Sequence, residues 1–279
     1  MNQSPGRFAK KSLGQNFLSD QTVIQKISDA IPEETPLLLE IGPGRGALTF
    51  KIFERAKKFC VIEKDDTLVE SIRRELSGLG KGDFVWHGDA LEFPYGEIWE
   101  RTKSSVDTPL TIAGNLPYNV ATEILLRLLP LAERIERMVL MFQKEVGERL
   151  GADSNTKAYG SLSILAQNWY DVKKLMIVKP GAFKPAPKVD SIVLTFVRRP
   201  KPQIDLSDRE RFLRFEKLIR SAFAYRRKTV ENSLKIAQSH RDWKKVLAEA
   251  GIEGKRRAET ISIAEFKTLL EVTEKLDPV

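Results

Sequence analysis

The stretch that most limits what this chain can become is Leu37-Leu38-Leu39-Glu40-Ile41-Gly42-Pro43-Gly44-Arg45-Gly46. An apolar run of strand length ends in alternate glycines, and a longer amphipathic segment comes after it. Glycine suits such a corner because it turns tightly and lets backbone approach a ligand with no Cβ in the way. By itself the pattern also fits a plain strand–helix turn. The rhythm then repeats along the first 200 residues. Strands are expected at Leu37–Ile41, Phe59–Ile62, Phe84–Trp86, Leu110–Ala113, Met138–Phe142, Leu175–Val178 and Ile192–Val197. Helices are expected between them, at Gln21–Ile31 and Asp66–Leu76, capped by Asp20 and Asp65, and at Val120–Leu129 and Gln143–Leu150. Strands alternating with helices predict an α/β domain with a mostly parallel sheet. The prolines of Pro200–Ser207 read as a linker, with Ser207 as a cap for the next helix. Beyond it the patterns are helical, at Asp208–Ala224, Arg227–Ala237, Arg241–Ala250 and Ala264–Lys275. The expected domains are therefore residues 1–202 and a small all-α domain, residues 203–279.

Composition removes several classes. With 42% hydrophobic and 30% charged residues among 279, the chain can bury a core and is neither fibrous nor disordered. The single cysteine, Cys60, excludes an intrachain disulfide and fits a reducing compartment. Two histidines and one cysteine leave no basis for a structural zinc site, and no metal is expected. No apolar run approaches the roughly 20 residues of a membrane span, and the basic N-terminus lacks an apolar core for a secretory signal. The net charge of +8 is unevenly spread: Arg198 to Lys245 holds 15 Lys/Arg against 6 Asp/Glu, and the remainder 31 against 32. A basic block of this kind fits a polyanionic partner, and equally a solvated helical face.

Spacing sharpens the reading of the glycine turn. Glu63 ends the second strand 21 residues after Gly42, where an acidic side chain can take both hydroxyls of a ribose. Asp89 ends the third strand and Asn115 the fourth. Each alone is an ordinary turn residue or cap. Four successive strands with polar or small residues at the carboxyl edge point to a ligand site, since open α/β sheets bind ligands there. The pattern Glu-x-Gly-x-Gly-x-Gly is not G-x-G-x-x-G, and no phosphate loop is present, so the expected ligand is an adenosine cofactor without phosphates. The turn resembles the first motif of S-adenosylmethionine-dependent methyltransferases. That resemblance implies a Rossmann-like sheet binding S-adenosyl-L-methionine, with Gly42 and Gly44 at its methionine end, Glu63 on the ribose and Asp89 on the adenine amino group.

Asn115-Leu116-Pro117-Tyr118 is the most specific stretch. The exocyclic amine of adenine is a poor nucleophile, because its lone pair is delocalised into the ring. Two acceptors on its N–H groups would draw the nitrogen towards sp³ geometry. The Asn115 amide oxygen and the Leu116 carbonyl can supply that pair, with Pro117 holding Leu116 extended. Tyr118 offers a face for the base. This motif resembles the N6-adenine methyltransferases. Three more stretches narrow the resemblance to the small-subunit (16S) ribosomal RNA adenine N6,N6-dimethyltransferases: Lys11–Leu18, Gly181–Ser191 with its F-x-P-x-P-x-V-D-S pattern, and Ala224–Leu234 with its R-R-K-T-x-x-N-S-L helix. The family implies that Asn16 and Leu18 close over the cofactor and that Phe183 clamps the target base. An aromatic between glycine and proline is as often a loop anchor packed on the core. Arg226, Arg227 and Lys228 fit phosphate contact, or a solvated helix end. Ala121 departs from the family, many members of which carry serine there.

The resemblance implies dimethylation of two adjacent adenosines in a hairpin loop near the 3′ end of small-subunit rRNA, within a pre-30S particle, by a monomeric chain. Ten residues before Lys11 are too few for a transit peptide, so a bacterial-type cytoplasm is expected. The rivals are a large-subunit rRNA methyltransferase, a non-catalytic assembly factor on the same fold, and a small-molecule methyltransferase.

Overall fold

In the computed structural model, residues 15–80 and 84–276 are described. Lys11–Gly14, part of the N-terminal motif, lies outside them. The elements in chain order are β1 (Phe17–Leu18), α1 (Gln21–Asp29), β2 (Thr35–Ile41), α2 (Thr49–Ile52), β3 (Ala56–Glu63), α3 (Asp66–Gly78) and β4 (Val85–His87). Then come α4 (Ile98–Arg101), β5 (Leu110–Asn115), α5 (Ala121–Leu128), β6 (Ile135–Gln143), α6 (Lys144–Leu150), α7 (Ser161–Trp169), β7 (Tyr170–Val178), β8 (Phe183–Lys184) and β9 (Ser191–Arg198). Four helices finish the chain: α8 (Arg209–Phe223), α9 (Val230–Ala237), α10 (Trp243–Glu249) and α11 (Ile263–Leu276).

The chain divides into two compact units, residues 1–147 with 173–198, and residues 148–172 with 199–279. The first carries a seven-stranded sheet in the order β4-β3-β2-β5-β6-β9-β7. From β4 to β6 neighbours run parallel, and β9 returns antiparallel to β6. Central parallel strands are covered on both faces, so they read as unbroken apolar runs rather than alternating ones. Leu37, Leu38 and Leu39 are all fully buried, as are Cys60, paired with Leu39, and Val61, paired with Glu40. The caps behave as their chemistry requires. Asp20 accepts from the backbone N–H of Thr22 at 2.8 Å and of Val23 at 3.1 Å, and Asp65 from Thr67 at 3.1 Å.

In the second unit Phe215, Trp243 and Phe266 are buried completely, and the rings of Tyr159, Phe223 and Phe266 follow one another at 6.0 Å. Arg211 on α8 grips the Glu274 carboxylate of α11 with two nitrogens, at 2.8 and 3.1 Å. Three sequence expectations change here. Asp208, not Ser207, caps α8, accepting from Arg211 N–H at 2.8 Å. The segment read as a linker is anchored: Asn168 exchanges two hydrogen bonds with the Ile204 backbone, and Ile204 and Leu206 are buried. Arg226, Arg227 and Lys228 sit in the exposed turn between α8 and α9, not on a helix, because Thr229 caps α9 and its helical residues begin at Val230. Residues 148–172, including α7, which sequence periodicity did not reveal, pack within this unit.

Candidate active site

The chain runs from β2 outward through β3 to β4, then crosses back to β5 on the other side of β2. Two connections leaving in opposite directions open a crevice at the carboxyl ends of β2 and β5, the switch point where open α/β sheets bind ligands. Register brings the tips level. Ile41 pairs with Ile62, Glu63 with His87, and Glu40 with Ala113. The ladder extends into the turns, with Gly42 N–H donating to Ile62 C=O and Gly88 N–H to Glu63 C=O, each at 2.9 Å.

One cleft lies at these tips. Of the residues nominated from sequence, Asn16, Leu18, Gly42, Gly44, Glu63, Asp89, Asn115, Leu116, Pro117 and Tyr118 all line it. Gly42 and Gly44 have φ of +68° and +58°, the left-handed region that glycine enters without penalty. A Cβ on Gly42 would project into open space, whereas one on Gly44 would stand 2.9 Å from the Phe17 ring. The Gly44 N–H donates to Glu63 Oε2 at 3.1 Å, so the turn and the second strand tip are tied together. Glu63 Oε1 accepts from the N–H groups of Lys64 and Asp65, both at 2.9 Å. Burial raises the Glu63 carboxyl above its ordinary range, and those backbone donors work against the rise.

Asn115 is held by its amino end. Its Nδ2 donates to the backbone carbonyl of Asn16 at 2.9 Å, although the two residues lie 99 positions apart. The segment that carries Asn16 continues into β1, which pairs antiparallel with β8: Phe17 with Lys184 and Leu18 with Phe183. Arg45 stacks its guanidinium over the Phe17 ring, 4.4 Å from the centroid. Pro117 C=O accepts from Val120 at 3.1 Å and Ala121 at 2.9 Å, closing the turn that launches α5. The Tyr118 hydroxyl hydrogen-bonds the Ser191 hydroxyl at the start of β9.

Phe183 is the nominated residue that the structure keeps out of the cleft. Its side chain is 2% exposed and belongs to the core cluster with Leu18, Val178 and Val193. A ring so buried has the surroundings of a loop anchor, the other reading of an aromatic between glycine and proline. The β1–β8 pairing sets it beside Leu18 of the N-terminal segment. Arg226, Arg227 and Lys228 are exposed in the second unit.

Two further cleft residues, to which the sequence assigned no role, are Lys64 and Glu40. Lys64 bonds Asp89 Oδ2 through Nζ at 2.6 Å, which, with the Leu91 N–H on Oδ1, holds the Asp89 carboxyl below its usual range. Glu40 is wholly buried, with Oε2 lacking a hydrogen-bond partner, and burial pushes its carboxyl up to about 8. The signal for Glu40 was present, as the one acid inside an otherwise apolar strand.

Residues 6–275 match the ribosomal RNA adenine dimethylase family. The chain belongs to that family. Among curated relatives, the Ribosomal RNA small subunit methyltransferase A of Geobacter sulfurreducens is 41% identical over 265 residues, covering 94% of each chain. That of Staphylococcus haemolyticus is 40% identical over 268 residues, 94% of this chain and 89% of the relative. Among solved structures, a dimethyladenosine transferase from Plasmodium falciparum superposes with a TM-score of 0.76 at 25% identity, covering 93% of this chain and 98% of the other. The 23S rRNA methyltransferase ErmE gives 0.63 at 25% identity, over 92% and 99%. Membership makes this chain an S-adenosylmethionine-dependent enzyme that dimethylates adenine in ribosomal RNA. The site fits that cofactor: glycines open the turn, an acid stands at the second strand tip, and Glu40, which has a buried carboxyl oxygen without a hydrogen-bond partner, is among the residues lining the cleft. Among the described residues no helix is long and apolar enough to cross a membrane, and no group of metal-ligating side chains occurs.

Proposed function

We propose that this chain dimethylates N6 of two adjacent adenosines in a hairpin loop near the 3′ end of 16S rRNA. It acts as a single chain, in the cytoplasm, on the assembling small subunit. The observation that carries this reading is the Asn115 amide. Its amino end is engaged by Asn16, which leaves the carbonyl end as the acceptor for a purine amine inside the cleft. Asn115 Oδ1 and the Leu116 carbonyl accept the two N–H groups of the target and aim the nitrogen lone pair. Tyr118 presents its ring to the base. Gly42 and Gly44 hold the methionine end of the cofactor, Glu63 the ribose hydroxyls and Asp89 the adenine amine, while Asn16 and Leu18 cover it.

When bound, S-adenosylmethionine supplies an electrophilic methyl group on a cationic sulfur. The protein's part is therefore to bind, orient and keep water away, and no side chain need act as a strong base: a methylated amine is acidic enough to release its proton to solvent or a nearby carbonyl. Phosphate contacts by Arg226, Arg227 and Lys228 add affinity for the RNA. The near-full-length identity to relatives named for the small subunit favours 16S rRNA over the 23S rRNA for which ErmE is named.

Primer extension across both large rRNAs, after treatment of unmodified subunits with enzyme and cofactor, tests this reading. Stops at two neighbouring adenosines near the 3′ end of 16S rRNA are expected with the wild-type chain, and none with Asn115→Ala, which should still bind RNA. Stops in 23S rRNA alone would refute the substrate, and wild-type turnover by Asn115→Ala would refute the acceptor pair.

A further inference from the structure

The proline-rich loop that precedes β9 ends in Asp190-Ser191, and the function proposed for the cleft leaves both residues without a role. Ser191 is completely buried at the first position of β9, in register with Gln143 on β6. A buried hydroxyl needs a partner, and Ser191 finds one 73 positions away in the hydroxyl of Tyr118. The place of Ser191 is itself fixed. The Asp190 carbonyl accepts from Lys144 N–H at 2.9 Å, and its carboxylate pairs with Lys179 Nζ at 2.7 Å. A tyrosine ring swings about two torsions. A turn closed by Pro117 holds one end of Tyr118, and Ser191 holds the other. An apolar contact alone would be met by phenylalanine, so the hydroxyl adds direction rather than area.

We propose that Ser191 is a positioning residue for methyl transfer, fixing the Tyr118 ring in the orientation that borders the cleft. Ser191 touches no reacting atom. It acts through Tyr118 by holding the face on which the target base rests, and a misplacement of about 1 Å at such a face can cost on the order of a hundredfold in rate. The inference rests on the proposed function, in which that ring receives the base.

The test is a double-mutant cycle of Ser191→Ala and Tyr118→Phe, read as single-turnover methyl transfer to rRNA. Cofactor affinity is measured by calorimetry and folding by thermal melts. Each single variant is expected to lose about tenfold in rate, and the double variant to be no slower than Tyr118→Phe alone, because both changes break one bond. Cofactor affinity should stay at the wild-type value; a merely structural serine would lower it together with the melting temperature. A double variant slower by the product of the two losses overturns the proposal, and so does a wild-type rate in either single variant. Should Ser191→Ala not fold, Tyr118→Phe breaks the same bond from its half-exposed side, and a wild-type rate there is decisive. The cycle can be read on any rRNA that accepts methyl groups, so failure of the 16S assignment and failure of Ser191's role are separate results.

Discussion

Glu63→Gln is the substitution whose consequences the structure fixes most closely. The carboxylate is 6% exposed and receives three backbone donors, Gly44 at 3.1 Å on one oxygen and Lys64 and Asp65, both at 2.9 Å, on the other. An amide of the same shape has one acceptor end. The less costly orientation keeps its oxygen on the Lys64 and Asp65 pair and turns its NH₂ towards the Gly44 N–H, donor against donor. Charge-assisted hydrogen bonds contribute roughly 1.5–3 kcal/mol each. Removing the charge also relieves the cost of burying it, so the effect on stability should be small, about 1 kcal/mol. The effect on the cofactor should be larger, because Gly44 loses its tether and a ribose hydroxyl loses its acceptor. A loss of about 2–3 kcal/mol corresponds to a dissociation constant about 30- to 150-fold weaker. Titration calorimetry with S-adenosylmethionine reads this directly. A pH series adds a second check. The folded carboxyl titrates above its ordinary range, so wild-type affinity should fall as pH drops through that raised range, while the glutamine variant stays flat. A dissociation constant within threefold of wild type would refute the assignment of Glu63 to the ribose.

Three further outcomes are expected. Glu40 keeps its proton in the folded state up to about pH 8, whereas the unfolded chain releases it near 4.5. The folded state then binds more protons across that window, so wild-type stability should fall as pH rises from about 5 to 8, by up to about 1.4 kcal/mol per unit from this group. Glu40→Gln should remove that slope in denaturant unfolding, and identical slopes in the two proteins would contradict it. Gly114→Ala would set a Cβ 2.8 Å from the Ile41 carbonyl oxygen and 3.0 Å from Leu116 Cδ2. Because backbone cannot yield as a side chain can, a loss of about 1–3 kcal/mol is expected on unfolding, and a change under about 0.5 kcal/mol would show that the strand tips are looser than this geometry. Arg226→Ala with Arg227→Ala should weaken rRNA binding and reduce the slope of log K against log salt by about 1.4, at roughly 0.7 per contact with single strands. An unchanged slope would exclude phosphate contact by this turn.

Much of the first unit could be read without coordinates, for a physical reason. Its central strands are buried on both faces, so each appears as an uninterrupted apolar run, and each run ends where polarity returns. Glu63, Asp89 and Asn115 stand out because a sheet that buries everything else leaves chemistry only at its tips. Two-residue strands leave no such trace. Phe17–Leu18 and Phe183–Lys184 pair across 165 positions of chain, and nothing local distinguishes them from loop. That pairing sets Phe183 beside Leu18, and both belong to the buried core. The α-helix at Ser161–Trp169 was missed because it is apolar almost all round, burying Ser163, Ile164, Leu165, Ala166, Asn168 and Trp169, so it lacks the polar stripe that marks a surface helix.

The same pairing explains why the site is legible residue by residue yet not as a unit. Sequence spacing reveals which side chains stand at strand ends, but not which backbone groups orient them. Asn115 depends on a carbonyl from Asn16, Gly44 on a carboxylate from the next strand, and Tyr118 on a serine from β9. Each of these bonds joins a motif to a different motif. The N-terminal segment meets the glycine turn through Phe17, the Asn115 amide through Asn16, and the proline-rich loop through β1 and the Ser19 N–H on Ala182 C=O at 2.8 Å. A change anywhere along Asn16–Ser19 therefore reaches both the glycine turn and the Asn115 amide. Under the proposed function one short segment would set the position of both reactants, an arrangement that suits an enzyme whose task is to hold them in line.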